Sequence, residues 1–119
     1  MKPDPSLADE PYVYLTTTGR KTGLPREIEI WFALHEGVLY MLAGNGERAD
    51  WVLNLKKTPS VTLRLRDVPY AARARVLEAS STEDGLARRL LVEKYAPGYN
   101  ADLTSWGRES LPVACEFED

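Results

Sequence analysis

Apolar and polar residues alternate along several short stretches of the first half of the chain, and a period of two predicts β-strands. Residues 12–18 are rich in aromatic and β-branched types and end at Gly19. Residues 27–34 begin with strict alternation and become continuously apolar, and after a turn the chain returns as residues 38–43. The two latter segments are predicted to form a hairpin.

The second half repeats this pattern. Residues 60–66 and 70–79 both alternate and are separated by a short polar break, which predicts a second hairpin. Residues 111–117 form the last apolar segment and are predicted as a closing strand. The sequence thus predicts six strands that follow one another mainly as hairpins, which is typical of an antiparallel sheet.

Helical spacing occurs in two places. Residues 47–57 carry apolar side chains three and four apart, with lysines in the last turn and Pro59 beyond. A second helix opens with cap-type residues at 81–84 and ends before Pro97. Six strands with two or three helices predict a mainly β fold, an antiparallel barrel or strongly curled sheet with covering helices. We expect one domain over residues 1–119, with residues 1–11 as a flexible lead-in.

Composition excludes several functions. The formal net charge is −3, which argues against DNA, RNA or anionic lipid as a partner. The chain has one cysteine and one histidine, so an internal disulfide and a cysteine-based zinc site are excluded, and no metal site is predicted. No apolar run is long enough for a membrane segment, and no signal peptide is apparent. These features predict a cytoplasmic protein.

The side chains offer no convincing catalytic group. His35 lies beside a turn and is interpreted as a surface residue, and Cys115 as a small buried one. Glu27 and Glu29 share one strand face and are suited to acid–base chemistry, but a half-solvated strand has the same pattern. An enzymatic role would therefore require a bound organic cofactor.

Residues 16–26 are the segment most suited to hold such a cofactor. Three threonines precede a turn that carries Arg20, Lys21 and Arg26. Hydroxyls, free backbone N–H groups and cations together suit a phosphate, although a solvated hairpin turn would also look like this. A second glycine break at residues 44–46 precedes a helix whose N-terminus offers more donors. Trp51 and Asn54 lie on adjacent faces of that helix.

The chain resembles the deazaflavin-dependent nitroreductase family, the split-barrel oxidoreductases that use coenzyme F-420. The resemblance rests on three segments in this order: residues 15–26, residues 38–46 and the Asp50–Leu55 helix. The match covers residues 12–65, about half of the chain. The resemblance implies a six-stranded antiparallel split β-barrel, like the barrels that bind flavin mononucleotide (FMN), with the cofactor in a groove. It implies hydride transfer from the reduced deazaflavin to a small-molecule acceptor: a quinone, a nitro compound or an activated alkene.

The resemblance also assigns cofactor-binding residues, and no catalytic residue or metal ligand. Positively charged and hydroxyl side chains hold the acidic part of the cofactor, residues of the second strand border its ring, and the opposite strand end and the helix close the groove. This set is Arg20, Lys21, Thr22, Arg26, Ile28, Glu29, Ile30, Trp31, Leu42, Ala43, Gly44, Asn45, Asp50, Trp51 and Asn54.

Several alternatives stay open at the level of the sequence. The family commonly has proline at the position of Glu29, and a serine in the glycine break where this chain has Gly44-Asn45. FMN is therefore an alternative cofactor, and a non-catalytic module that binds a cofactor, haem or lipid is an alternative function. A homodimer is a further alternative, since sheet edges can pair across a two-fold axis. The late aromatic residue that caps the pocket is Tyr95, Tyr99 or Trp106.

Overall fold

A computed structural model describes residues 1–99 and 102–119 and shows a curled antiparallel sheet with helices on its outside. Within these residues the strands are β1 (Val13–Thr18), β2 (Pro25–Ile30), β3 (Ala33–His35), β4 (Val38–Ala43), β5 (Ser60–Leu65), β6 (Val68–Val76) and β7 (Leu111–Phe117). The helices are α1 (Asp50–Lys57), α2 (Thr82–Tyr95) and α3 (Thr104–Glu109). Short 3-10 turns occupy Pro5–Asp9, Gly46–Arg48 and Ala96–Gly98.

The strand order explains the shape of the sheet. The order is β2-β1-β5-β6-β7-β4-β3, so β2 and β3 form opposite edges of the sheet. Only Trp31 and Phe32 separate these two strands in the chain. Because a chain spans at most about 3.5 Å per residue, the two edges must meet there and the sheet must curl. The predicted mainly β, split-barrel-like fold is confirmed.

The number of strands differs from the prediction. The segment 27–34, predicted as one strand, breaks at Trp31 and Phe32, which gives seven strands in the described residues instead of six. Phe32 is fully buried, and its N–H donates to the Tyr95 hydroxyl at 3.0 Å. Its carbonyl accepts from Lys94 Nζ at 3.0 Å. Side chains of α2 thus replace a neighbouring strand as hydrogen-bond partners, which alternation along one strand cannot reveal.

The second predicted hairpin is confirmed in the register of the sheet, and the first holds only for residues 33–35, because residues 27–30 pair with β1 instead. β3 pairs with β4, with His35 opposite Val38, and β5 pairs with β6 over six residue pairs. The inner faces of the strands form the main core, where Leu15, Leu39 and Leu63 are fully buried. Helix α2 covers the outer face through a second cluster that includes Leu91.

Cys115 and the lead-in also belong to the packed structure. Cys115 is fully buried on β7, as predicted, and burial raises the pKa of its thiol to about 12. Within residues 1–11, the 3-10 turn Pro5–Asp9 places Leu7 against the core with 8% of its surface exposed. Among the described residues, the helices are too short or too polar to cross a membrane.

Candidate functional site

A long groove opens where β2 and the end of β4 diverge, with α1 along one side. Its volume is about 1010 Å³, which is large enough for an organic cofactor. Fourteen of the fifteen residues predicted to bind a cofactor line it. They are Arg20, Lys21, Thr22, Arg26, Ile28, Glu29, Ile30, Leu42, Ala43, Gly44, Asn45, Asp50, Trp51 and Asn54.

Strand β2 supplies one wall of the groove. As an edge strand it pairs with β1 on one side only, so its other backbone edge is open to a ligand. Ile28 lies opposite the core residue Leu15 and Ile30 opposite Val13, which puts both isoleucines on the apolar face. The wall therefore combines an apolar surface with backbone donors and acceptors, an arrangement that suits a flat heterocyclic ring.

The basic loop at the end of β1 is held by its own hydrogen bonds. Gly19 N–H donates to the Leu24 carbonyl at 2.8 Å, and Gly23 N–H donates to the Gly19 carbonyl at 2.8 Å. Gly23 has a φ of 75°, which glycine adopts readily. This tight turn leaves Lys21 and Arg26 exposed at the groove, where both can reach an anion.

Arg20 is placed differently from its two neighbours. Its Nη2 lies 3.1 Å from Asp50 Oδ1, and its Nη1 donates to Asn54 Oδ1 at 3.0 Å. The side chain is 26% exposed and reaches across to α1. The structure thus brings Arg20 to the groove as predicted, but its guanidinium is already engaged by the protein.

Asn54 is likewise directed into the protein. Only 4% of its surface is exposed, and its Nδ2 donates to Thr17 Oγ1 at 3.2 Å. Its Oδ1 also accepts from the backbone N–H of Arg20 at 3.1 Å. Asn54 therefore joins β1, the basic loop and α1. Trp51, one turn earlier, is half-buried and contributes to the groove lining.

The helix beyond the second glycine break begins later than predicted. The helix was predicted over residues 47–57. In the structure a 3-10 turn, Gly46–Arg48, comes first, and α1 starts at Asp50. Ala49 between them is extended, with φ −60° and ψ 134°. The extra turn is possible because Gly46 adopts a φ of 60°. The first turn of α1 therefore carries the Asp50 carboxylate that faces Arg20.

Trp31 is the one predicted cofactor residue that does not line the groove. It stacks on Tyr95 with ring centroids 4.2 Å apart and an angle of 3° between the planes. Its edge contacts are Tyr99 at 5.5 Å and Trp106 at 5.6 Å. Trp31 packs against the second cluster under α2, whereas Ile30 packs against the main core.

Trp31, Tyr99 and Trp106 border a second cavity of about 570 Å³ beside the groove. We call it the aromatic pocket; its lining is Glu29, Ile30, Trp31, Leu42, Tyr99, Asp102, Leu103 and Trp106. Glu29, Ile30 and Leu42 line both cavities, so the two adjoin along β2 and the end of β4. The site therefore has two connected compartments, one bordered by cations and one by aromatic rings.

The sequence did not decide which of Tyr95, Tyr99 and Trp106 caps the pocket, and the structure shows where all three lie. Tyr99 and Trp106 line the aromatic pocket. Tyr95 lies beneath Trp31, where its hydroxyl is 2.9 Å from the Pro11 carbonyl, and burial raises its pKa. Asp102 and Leu103 were missed, because α3 is short and its boundary has no clear periodic signal.

Residues 5–118 match the sequence model of the family described as F420H(2)-dependent quinone reductase. A solved structure described as an F420-H2 dependent reductase, FDR-A, is 28% identical, with 92% of this chain and 95% of that chain covered and a TM-score of 0.71. Another, described as a domain-swapped dimer, is 28% identical over 92% of this chain and 81% of that chain, with a TM-score of 0.71.

A more distant structure shares the fold alone. The heme storage protein HutZ from Vibrio cholerae is 14% identical, covers 100% of this chain and 92% of its own, and gives a TM-score of 0.77. At this identity the likeness concerns the architecture of the barrel and not its ligand.

Proposed function

This chain belongs to the F420H(2)-dependent quinone reductase family, and from that membership we propose that it transfers a hydride from reduced coenzyme F-420 to a quinone. Nitro compounds and activated alkenes are electron-poor acceptors of the same kind. The observation that carries the proposal is the groove, which gathers fourteen predicted cofactor residues from three separate parts of the chain.

The residues of the groove suit the chemical parts of this cofactor. Lys21 and Arg26 are exposed cations that would hold its phosphate and acidic tail. Ile28 and Ile30 provide an apolar wall for its ring, and Trp51 covers the opposite side. The bound cofactor supplies the hydride chemistry, while the chain binds it, orients it and limits the access of water.

We place the electron acceptor in the aromatic pocket. Trp31, Tyr99 and Trp106 present ring faces and edges on which a planar acceptor can pack. Ile30 and Leu42 border both compartments, so an acceptor in one lies next to a ring in the other. Holding two reactants side by side removes much of the entropic cost of their reaction.

The structure favours this function over the haem-binding alternative. His35, the single histidine, lies on β3 at the turn to β4 and is not part of the groove lining. Cys115 is fully buried inside the barrel. Neither His35 nor Cys115, two residue types that can ligate haem iron, thus belongs to the described lining of the groove. FMN also carries a phosphate, so the groove alone admits it, and the family match favours coenzyme F-420.

The proposal is tested by binding and by turnover. Purified protein is titrated separately with coenzyme F-420, FMN and haem, and oxidation of the reduced deazaflavin is followed with menadione as acceptor. We expect saturable binding of coenzyme F-420 and menadione-dependent oxidation. Binding of FMN or haem in place of the deazaflavin would contradict the proposal, and binding without turnover would favour the non-catalytic alternative.

We also propose a homodimer and a cytoplasmic location for this enzyme. The support for the dimer is the solved structure described as a domain-swapped dimer, which is 28% identical to this chain. Sedimentation equilibrium over a range of protein concentrations measures the association. A single species of monomer mass throughout that range would contradict it.

A further inference from the structure

We infer that Arg20 and Asn54 position the basic loop, whereas Lys21 and Arg26 supply the charge that binds the cofactor. The inference rests on the proposed function and divides the predicted binding residues into two groups. It reverses the most direct expectation for Arg20, which as a guanidinium beside a groove would be expected to contact the phosphate.

The first argument concerns charge. Arg20 forms an ion pair with Asp50 at 3.1 Å, so its positive charge is offset within the protein. Among the described residues, the ion pairs include neither Lys21 nor Arg26. Arg26 Nη2 lies 3.4 Å from Thr22 Oγ1, which is a neutral partner. The uncompensated positive charge of the loop therefore belongs to Lys21 and Arg26.

The second argument concerns the connections of Arg20. Its guanidinium is bound by Asp50 and Asn54, its N–H by Asn54, and its carbonyl accepts from Lys57 Nζ at 2.8 Å. Both the side chain and the backbone of this residue are therefore fixed to α1. A group held at four points contributes to the shape of the loop and gains little by turning toward a ligand.

The third argument concerns Asn54, which is the buried centre of this network. Its Oδ1 accepts two hydrogen bonds from Arg20, and its Nδ2 donates one to Thr17. An apolar replacement would leave the Arg20 N–H without its partner in a part-buried position, which is costly. Asn54 therefore acts on the cofactor through Arg20 and the loop.

The two roles are separable by salt. Attraction between an exposed cation and an anionic ligand is screened by added salt, whereas the geometry of a loop fixed by hydrogen bonds is not. A cation that contacts the cofactor makes the Kd rise more steeply with salt concentration. A positioning residue changes the affinity, and the melting temperature with it, but leaves that steepness as it is in the wild type.

The experiment measures the Kd for coenzyme F-420 between low and high NaCl concentration, together with the melting temperature, for a matched set of variants. We expect Lys21→Gln and Arg26→Gln to weaken binding about tenfold each at low salt, to flatten the salt dependence and to leave the melting temperature unchanged. Asn54→Leu and the double variant Arg20→Gln/Asp50→Asn, which removes the ion pair without changing the net charge, should weaken binding and lower the melting temperature with the wild-type salt dependence.

Two further variants complete the set. Asn54→Asp keeps an acceptor for both Arg20 bonds and can accept from the Thr17 hydroxyl, so it should restore most of the binding lost in Asn54→Leu. It also provides a variant of the network whose binding can be measured if the Arg20 variant or Asn54→Leu fails to fold. Lys56→Gln removes an exposed cation of α1 outside the groove and should bind as the wild type does.

The inference is overturned if Arg20→Gln/Asp50→Asn flattens the salt dependence as much as Lys21→Gln, since Arg20 would then contact the cofactor directly. It is also overturned if the double variant of Lys21 and Arg26 binds with unchanged affinity. Failure of the wild type to bind coenzyme F-420 at any salt concentration is a separate result, which contradicts the proposed function and the inference together.

Discussion

Gly107 sets how closely α3 approaches α2. A Cβ at this position would clash with Val92 Cγ2, and the Gly107 carbonyl accepts from Arg88 Nη1 at 2.9 Å. The preceding residue is Trp106, whose Nε1 would lie 3.7 Å from a Cβ at Gly44. The absence of one methyl group therefore brings an aromatic ring of the pocket next to the groove.

We predict that Gly107→Ala lowers the free energy of unfolding by about 1–3 kcal/mol, because the added methyl overpacks the contact with Val92. The measurement is urea unfolding. Val92→Ala in the same chain should recover part of the loss. Gly85→Ala provides the control, since among the described residues nothing beyond its own stretch of helix lies within 4 Å of its added methyl, and helix propensity should stabilise it by up to about 1 kcal/mol. Equal effects at the two glycines would contradict this account.

Single residues of the site were predictable in type and in approximate place, but not in their partners. The density of threonine, glycine and cation in residues 16–26 indicated an anion-binding loop, and the loop does line the groove. The pairing of Arg20 with Asn54 joins positions 34 residues apart. It depends on where α1 packs against β1, and no local pattern records that.

At the scale of elements, α2 shows how a helix can end a strand. Tyr95 and Lys94 both hydrogen-bond to Phe32, and the Lys94 amino group also donates to the Glu10 carbonyl at 2.8 Å. Alternation predicted β5 and β6, which have one face toward the core, whereas β4 and β7 were predicted from continuous apolar runs and are buried on both faces. Alternation did not predict the break between β2 and β3, because the partners there are side chains from a helix about 60 residues later in the chain.

Lys94 makes this connection dependent on pH. Burial lowers the pKa of Lys94 to about 8 from an ordinary value of 10.5, although the Asp9 and Glu10 carboxylates act in the opposite direction. Between these two pH values the unfolded chain binds a proton that the folded chain does not. The contribution of Lys94 to the free energy of unfolding must therefore rise with pH across that window.

The matched comparison is between the wild type and Lys94→Met. We predict that the difference between their urea midpoints shifts in favour of the wild type from about pH 7.5 to about pH 9.5. The upper limit avoids the titration of Tyr95, whose pKa is raised by burial. A difference that is constant over this range, or that shifts in favour of the variant, would show that Lys94 does not titrate as its environment requires.

At the scale of the whole molecule, charge divides the two compartments of the site. The chain has a net charge of −3, yet the loop end of the groove carries Lys21 and Arg26 without carboxylate partners among the described residues. The aromatic pocket carries Glu29 and Asp102, and its lining contains no cation within residues 1–99 and 102–119. Hydrogen bonds from Thr104 lower the pKa of Asp102, which keeps this carboxylate charged.

This division should select acceptors by charge. An anionic cofactor is attracted to one end of the site, whereas an anionic acceptor is repelled from the other, because like charges in a partly enclosed pocket are screened less than on an open surface. We predict that the ratio of kcat/KM for 1,4-naphthoquinone to that for a naphthoquinone sulfonate is highest at low salt and falls as salt rises.

Glu29 provides the direct test of that selection. Its position on β2 puts it on the side of Trp31, and Tyr14 donates to its Oε1 at 3.2 Å. Glu29→Gln keeps the shape and an acceptor for Tyr14, so it should raise kcat/KM for the sulfonate several-fold relative to that for the neutral quinone. The ratio cancels any effect on the cofactor, whose groove Glu29 also lines. Glu78→Gln removes an exposed carboxylate that lines neither cavity and is the control. If both variants change the ratio equally, the net charge of the molecule governs the selection; if neither changes it, the pocket discriminates acceptors by shape alone.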